Sequence, residues 1–448
     1  MSGKRGKAAS FKTITKQQDS LTIDPRKHFL VASSTLPEAT MSASLICRSI
    51  LRSDGLFQLT FLEPVMTVEE VNALRKTHSK STVILIGIDL AGKKRVKKGT
   101  GYPILVGGTH DSSQAESLRI GDEHTISAAA YVIAKENLNA TSQELQLAAA
   151  ATLVGNFSWS KGFDVLAQLK GAAKSLVSSA QKEKLIEEHR GYRIFGANFT
   201  PLNEVLEYSI RPYLQGLSGR HENCERTLEE ADVPFSKLRM PISSLTNEEA
   251  KRLNGILLPN LDSNTTHYIL GQDFSLAQER KESPMRLVSG IRSISEIALT
   301  LQEIGTSSAI YMGDRAQQLQ SFLNSYLTYS RELIRAFQGL RMSLENEIPE
   351  IRDSLAIIQT SEGKRKMLGD LGRIILETDL VLADMVMIFT EGEGISVTWR
   401  PGVVHLQSLL RIMKTKGINA TTVSTNSILT DDTSKETRNN LQETLLEL

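Results

Sequence analysis

Residues 81–92 read STVILIGIDLAG, and this run constrains the fold of the chain more than any other stretch. It is apolar almost without interruption, where a strand with one wet face would alternate apolar and polar residues. A strand covered on both faces belongs in the middle of a parallel sheet, and parallel neighbours must be joined by crossover segments, usually helices. The flanking sequence supplies both partners. YPILVGG (102–108) is a second run of the same kind, and HFLVAS from His28 and FQLTFLE (57–63) are two further strand candidates. Met41, Leu45, Ile46 and Ile50 recur at helical spacing, and Thr67 with Glu70 has the spacing of a capping box at the head of another helix. Strands alternating with helices predict an open parallel α/β sheet with its ligand site at the carboxyl ends of the strands.

The remaining sequence divides by pattern. Residues 1–24 are polar and carry Lys4, Arg5, Lys7, Lys12 and Lys16, which reads as a disordered basic tail. From 125 to about 217 the pattern is helical, 218–285 reads as short helices and turns, and 314–344 as one long helix linking two lobes. The last hundred residues alternate again (SLAIIQTS, LVLADMVMIFTE, GISVTWRP, a helix at 403–416, NATTVSTNS, a final helix), as a smaller α/β domain would. The expected divisions are a tail at 1–24, a first domain at 25–240, a helical connecting region with linker helix at 241–344, and a C-terminal domain at 345–448.

Composition narrows the function. Lys and Arg number 52 against 51 Asp and Glu, a net charge of +1, so nucleic acid could be met only through local patches. Cys47 and Cys224 are too few for a disulfide framework or a zinc site, and they suit a reducing cytosol. No apolar run reaches about 18 residues and the N-terminus has no apolar signal core; a cytoplasmic protein without a membrane partner is expected. The eight histidines form no HxxxH or His–Cys cluster, and neither a Walker loop nor a GxSxG elbow occurs. The basic run Lys93, Lys94, Arg95, Lys97 and Lys98 follows the central strand. Phosphate could dock at such a loop, which reads equally as a solvated surface.

Several strings, in order, resemble the RecJ-like branch of the DHH phosphoesterase superfamily. Active members end their first strand in a His-Asn-Asp-Ala-Asp-Gly-like loop; the corresponding VASSTLPEATMSAS puts Ser34 at the histidine, Leu36 at the first aspartate and Glu38 at the second. The buried strand ending in aspartate appears as LIGIDLAGKK, with Asp89. The family's Asp-His-His becomes Gly108-Thr109-His110 or, one residue on, Thr109-His110-Asp111. The helix running into Gly-Asp appears as AAAATLVGNFSW, with Asn156 at the aspartate. In the C-terminal domain SVTWRPG keeps Thr398 and Arg400 at the family's phosphate-gripping Ser-x-Arg, whereas the Gly-Gly-Gly-His loop has become KGINATTVS with Gly417 and Asn419. RPYLQGLSG (211–219) and the helix after Gly313-Asp314 add to a likeness with the archaeal RecJ-like proteins.

The resemblance implies a parallel-sheet DHH domain, a helical connector and linker helix, and a smaller DHH-associated α/β domain. It also implies that catalysis is lost. Two divalent ions about 3.5–4 Å apart need several carboxylates to neutralise them and to form a hydroxide nucleophile. The aligned positions offer Glu38, Asp89, His110, Asp111 and Asn156 as remnants, beside Leu36, which cannot ligate. No cofactor is expected, manganese or magnesium entering only if a residual site still cleaves single-stranded DNA or RNA. The eukaryotic CMG helicase contains a degenerate RecJ-like subunit, and by that precedent the partners are GINS, MCM through it, and single-stranded DNA along Lys93, Lys94, Arg95, Lys97, Lys98 and Arg400.

Overall fold

The computed structural model describes residues 23–24, 26–91, 103–107, 119–121, 125–156, 165–261, 263–346 and 348–447. Its first layer is a five-stranded sheet in the order Leu56–Leu62, His28–Ser34, Thr82–Ile86, Ile104–Val106, Arg119–Ile120, every pair parallel. The strand Thr82–Ile86 lies at its centre with Val83, Ile84, Leu85 and Ile86 all buried. The apolar run does not stay in one strand. Gly87 adopts φ +62°, and a Cβ there would stand 2.7 Å from Ala39 Cβ, so the left-handed turn needs glycine. The chain thereby leaves the main sheet, and Asp89–Ala91 pairs instead with Val65–Thr67.

The helices Pro37–Arg52, Ile126–Asn137 and Ser142–Asn156 pack together in one core with Val31, Ile84 and Ile86. The first is buried along nearly its whole length, and its small residues Ala39, Ser42, Ala43 and Ser44 let neighbouring backbones approach closely. Its buried hydroxyls donate back to the preceding turn: Ser42 Oγ to the Glu38 carbonyl at 2.7 Å, Ser44 Oγ to Thr40 at 2.9 Å, Ser49 Oγ to Leu45 at 3.0 Å. No polar hydrogen of these serines is thus left without an acceptor. The capping box at Thr67 and Glu70 forms as its spacing predicts.

The helical reading of 125–217 and the helix-and-turn reading of 218–285 each hid a strand. Ile186–Tyr192 pairs antiparallel with Leu270–Leu276 as a separate two-stranded sheet. IEEHRGY escapes detection because only Ile186 is buried and the other residues are exposed or half-buried, which leaves no apolar period to read.

The C-terminal domain is a six-stranded mixed sheet in the order Glu350–Arg352, Leu355–Gln359, Met385–Thr390, Gly394–Trp399, Ser427–Thr430, Thr421–Ser424. Leu355–Gln359 and Met385–Thr390 run parallel and the other pairs antiparallel. The helix Leu368–Glu377 covers one face, and Leu406–Thr415 with Lys435–Leu446 covers the other. The helix Gln317–Asn346 spans about 45 Å at 1.5 Å per residue. It buries Leu319 and Phe322 in the first core, and Tyr329, Leu333, Phe337 and Leu340 against the second sheet.

Candidate functional site

The carboxyl edge of the parallel sheet is where the sequence places its candidate residues. Leu36 and Glu38 follow the strand His28–Ser34, and Asp89 follows Thr82–Ile86. Their surroundings belong to packing. The half-buried Leu36 lies against a cluster from the other lobe that includes Leu406, Leu409, Leu410 and Met413. Glu38 is 8% exposed, and its Oε1 accepts from Ser127 N at 3.1 Å and Ser127 Oγ at 2.7 Å. Ser127 Oγ in turn lies 2.7 Å from Thr152 Oγ1. Gly155 presses on the same carboxylate, since a Cβ there would stand 2.3 Å from Glu38 Oε2.

Asp89, 2% exposed, meets Arg411 of the helix Leu406–Thr415, whose Nη2 donates to Oδ2 at 2.7 Å. A guanidinium from the C-terminal domain therefore supplies positive charge at the end of the central strand. Asn156 turns back on its own helix, Nδ2 donating to the Thr152 carbonyl at 2.9 Å. His110, Asp111, Lys93, Lys94, Arg95, Lys97 and Lys98 lie outside the described residues. The described members of the donor set fit two divalent ions poorly: Leu36 has no donor atom, Asn156 brings no charge, Glu38 is turned to Ser127, and Asp89 already faces a cation. Among the described residues no three His, Cys, Asp or Glu groups are placed to hold a metal ion.

Contacts around Arg411 close the two lobes on each other. Lys414 Nζ, one helical turn on, reaches Glu70 Oε2 at 2.7 Å and the Val65 carbonyl at 3.1 Å. Burial works to raise the Glu70 carboxyl, but Lys414 and the Thr67 backbone N–H overcome it and hold it below the usual range. Glu63 Oε2 accepts from Thr422 N at 3.0 Å and Thr422 Oγ1 at 2.8 Å. Burial pushes the Glu63 carboxyl up, with Thr422 and Lys414 acting against it.

The cleft beside these contacts, about 670 Å³, is lined by the loop Lys416, Gly417, Ile418, Asn419, Ala420 and Thr421. Glu63, Glu70, Asp431, Asp432 and Glu436 share its lining with Lys414 and Lys416. That excess of carboxylates repels phosphate. Thr398 is buried, donating to the Gly369 carbonyl at 3.2 Å and sharing a hydrogen bond with Ser427 Oγ at 2.9 Å. Arg400 donates from Nε to the Ala383 carbonyl at 3.1 Å and from Nη2 to Asp379 Oδ1 at 2.5 Å. Both side chains are thus engaged within their own domain.

Deeper in the joint, Arg211 is buried between Glu296 Oε2 at 2.9 Å and Asp370 Oδ1 at 2.6 Å. Arg373 Nε reaches Asp370 at 2.8 Å, and the Tyr329 hydroxyl donates to Asp370 Oδ2 at 2.7 Å. Burial works to raise the Asp370 carboxyl, yet Arg211 and Arg373 hold it at about 2. This network ties the helix Val288–Thr300, the long helix and the C-terminal domain together. Neither it nor Arg411 was visible in the sequence, because every contact but that of Arg373 with Asp370 joins residues far apart in the chain.

No protein-family profile matches the sequence, and no curated protein matches it by sequence. CDC45 from Entamoeba histolytica superposes with TM-score 0.60 over 97% of this chain and 98% of its own, at 10% identity. The chain shares the CDC45 fold. Two RecJ structures align at lower scores. RecJ from Thermus thermophilus, in complex with manganese, gives TM-score 0.47 at 10% identity, over 97% of this chain and 53% of that one. An exonuclease RecJ bound to manganese gives 0.48 at 11% identity, over 97% and 92%. No helix among the described residues is long and apolar enough to cross a membrane.

Proposed function

We propose that this chain is a non-catalytic RecJ-like scaffold subunit of an archaeal, CMG-like replicative helicase assembly, binding GINS and, through it, MCM. The observation that carries the reading is the fate of Asp89. The one carboxylate retained at an aligned ligand position just after the central strand is paired with Arg411, which serves lobe packing. A cation fixed there competes with any metal for the same oxygen. The CDC45 fold over nearly the whole length of both chains supports the choice of assembly.

In this reading residues 25–240 form the DHH domain, 241–344 the connector, and 345–448 the DHH-associated domain. Single-stranded DNA would be met by Lys93, Lys94, Arg95, Lys97 and Lys98, with Arg400 contributing only by exchanging Asp379 for phosphate. Protein contact dominates, as a net charge of +1 favours. Size-exclusion chromatography of the full chain mixed with purified GINS tests this. Co-elution as a stable complex is expected. Separate elution, together with co-purification of an active nuclease from native extract, would move the chain to the role of a nuclease's silent partner.

A further inference from the structure

The strand Leu56–Leu62 is the outermost member of the main sheet, and its one described strand partner is His28–Ser34. It is seven residues long, and its sequence LFQLTFL carries no charge, no proline and no break of register. The other outer edges of the two large sheets are blunted in the ways that keep open strands from recruiting another chain. Arg119–Ile120 is two residues long. Glu350–Arg352 is three residues long, charged at both ends and preceded by Pro349. Thr421–Ser424 shifts register between Thr422 and Ser424. Leu56–Leu62 has none of these protections. Leu56 itself is 60% exposed, and Leu51, at the end of the preceding helix, 54%.

The phase of its backbone follows from one hydrogen bond. Thr35 N donates to the Leu62 carbonyl at 3.1 Å, so Leu62 turns its backbone groups inward, toward His28–Ser34. A strand residue points its N–H and C=O to one side, and the next residue points its own to the other. Leu56, Gln58 and Thr60 therefore face inward with Leu62, and Phe57, Leu59 and Phe61 present their N–H and C=O to the open edge. The Phe57 and Leu59 side chains pack against the first core, so the edge is ordered before anything docks on it.

What matches this edge is a copy of itself. LFQLTFL reads the same from either end apart from the exchange of Gln58 with Thr60. Antiparallel pairing about a twofold axis at Leu59 sets Leu59 against Leu59 of the second copy, Phe57 against Phe61, Gln58 against Thr60 and Leu56 against Leu62. The same register brings the outward-facing residues of both copies together, each pair exchanging both N–H···O bonds. A slip of one residue would oppose outward groups to inward-bonded ones. Aromatic meets aromatic and amide meets hydroxyl, pairings that stabilise a sheet across strands. We infer that Leu56–Leu62 is the dimer interface of this chain, two copies joining edge to edge about Leu59 so that their main sheets run on as one. The inference does not depend on the assembly proposed above.

Sedimentation velocity of the full chain tests it. The mass should rise from that of one chain toward that of two between about 1 and 100 μM. Gln58 is exposed and Thr60 half-buried, and both side chains lie on the sheet face opposite Phe57, Leu59 and Phe61. Gln58→Lys with Thr60→Lys sets lysine against lysine twice over the twofold axis and should weaken the dimer about ten-fold or more. Gln58→Glu with Thr60→Lys sets opposite charges together and should hold the dimer within roughly three-fold of the unaltered chain. Both variants share the Thr60 change, so misfolding at that position cannot mimic the difference. A chain that stays monomeric at every concentration leaves the edge to another protein's strand and overturns the assignment. A dimer that both double variants leave intact, or both abolish, overturns it too.

Discussion

The ion pair between Asp89 and Arg411 gives the sharpest quantitative expectation. Replacing Arg411 with methionine keeps most of its apolar stem and removes the charge facing a carboxylate whose side chain is 3% exposed. Breaking a fully buried pair costs roughly 3–5 kcal/mol, mostly from the charge left behind. The Arg411 side chain is 36% exposed, so water screens part of the attraction, and about 2 kcal/mol is the discounted figure. Its local expression should be easier opening of the helix Leu406–Thr415 away from the first lobe. Native-state hydrogen exchange read by mass spectrometry on peptides covering that helix should then accelerate about 30-fold. The double mutant Asp89→Asn with Arg411→Met should cost less than the sum of the singles by about 1 kcal/mol or more. Additive single effects, or unchanged exchange in Arg411→Met, would refute a role for the pair in holding the lobes together.

Gly155→Ala tests the crowding around Glu38. Helix propensity alone favours alanine by about 1 kcal/mol, whereas the Cβ would stand 2.3 Å from Glu38 Oε2; a lower melting temperature is expected, and a rise would show that the carboxylate moves aside freely. The Asp370 network sets an acid limit. A carboxyl held at about 2 in the folded chain, against roughly 3.9 unfolded, contributes stability that is full above about pH 4 and lost as pH falls through 2. That contribution is on the order of 2 kcal/mol, and acid titration by circular dichroism should show a shallower loss between pH 4 and 2 in Asp370→Asn. Tyr329→Phe deletes the hydroxyl that donates to Asp370 and should destabilise by about 1–2 kcal/mol in urea unfolding.

What the sequence revealed was what short-range physics encodes. The unbroken apolar run announced a central parallel strand, Thr67 and Glu70 announced a helix start, and the long amphipathic repeat announced Gln317–Asn346. Gly87 was read as part of a strand because apolar pattern says nothing of φ, and only the approach of Ala39 shows why the chain turns there. Of the described positions aligned to the family's ligands, Leu36, Glu38 and Asp89 follow strand ends and Asn156 ends a helix. Their new partners were not legible. Arg411 is one basic residue on an amphipathic helix, 322 positions from Asp89, and Ser127 is one small residue in a helix of small residues. Pairing across such distances is decided by how the lobes pack, which no local spacing records.

Incubation of end-labelled single-stranded DNA with the full chain and manganese tests the central claim most directly. A chain whose retained Asp89 serves lobe packing should leave the strand at full length over hours. Manganese-dependent shortening that Asp89→Ala abolishes would show that a working metal centre survives at the carboxyl edge of the sheet, and would contradict the account.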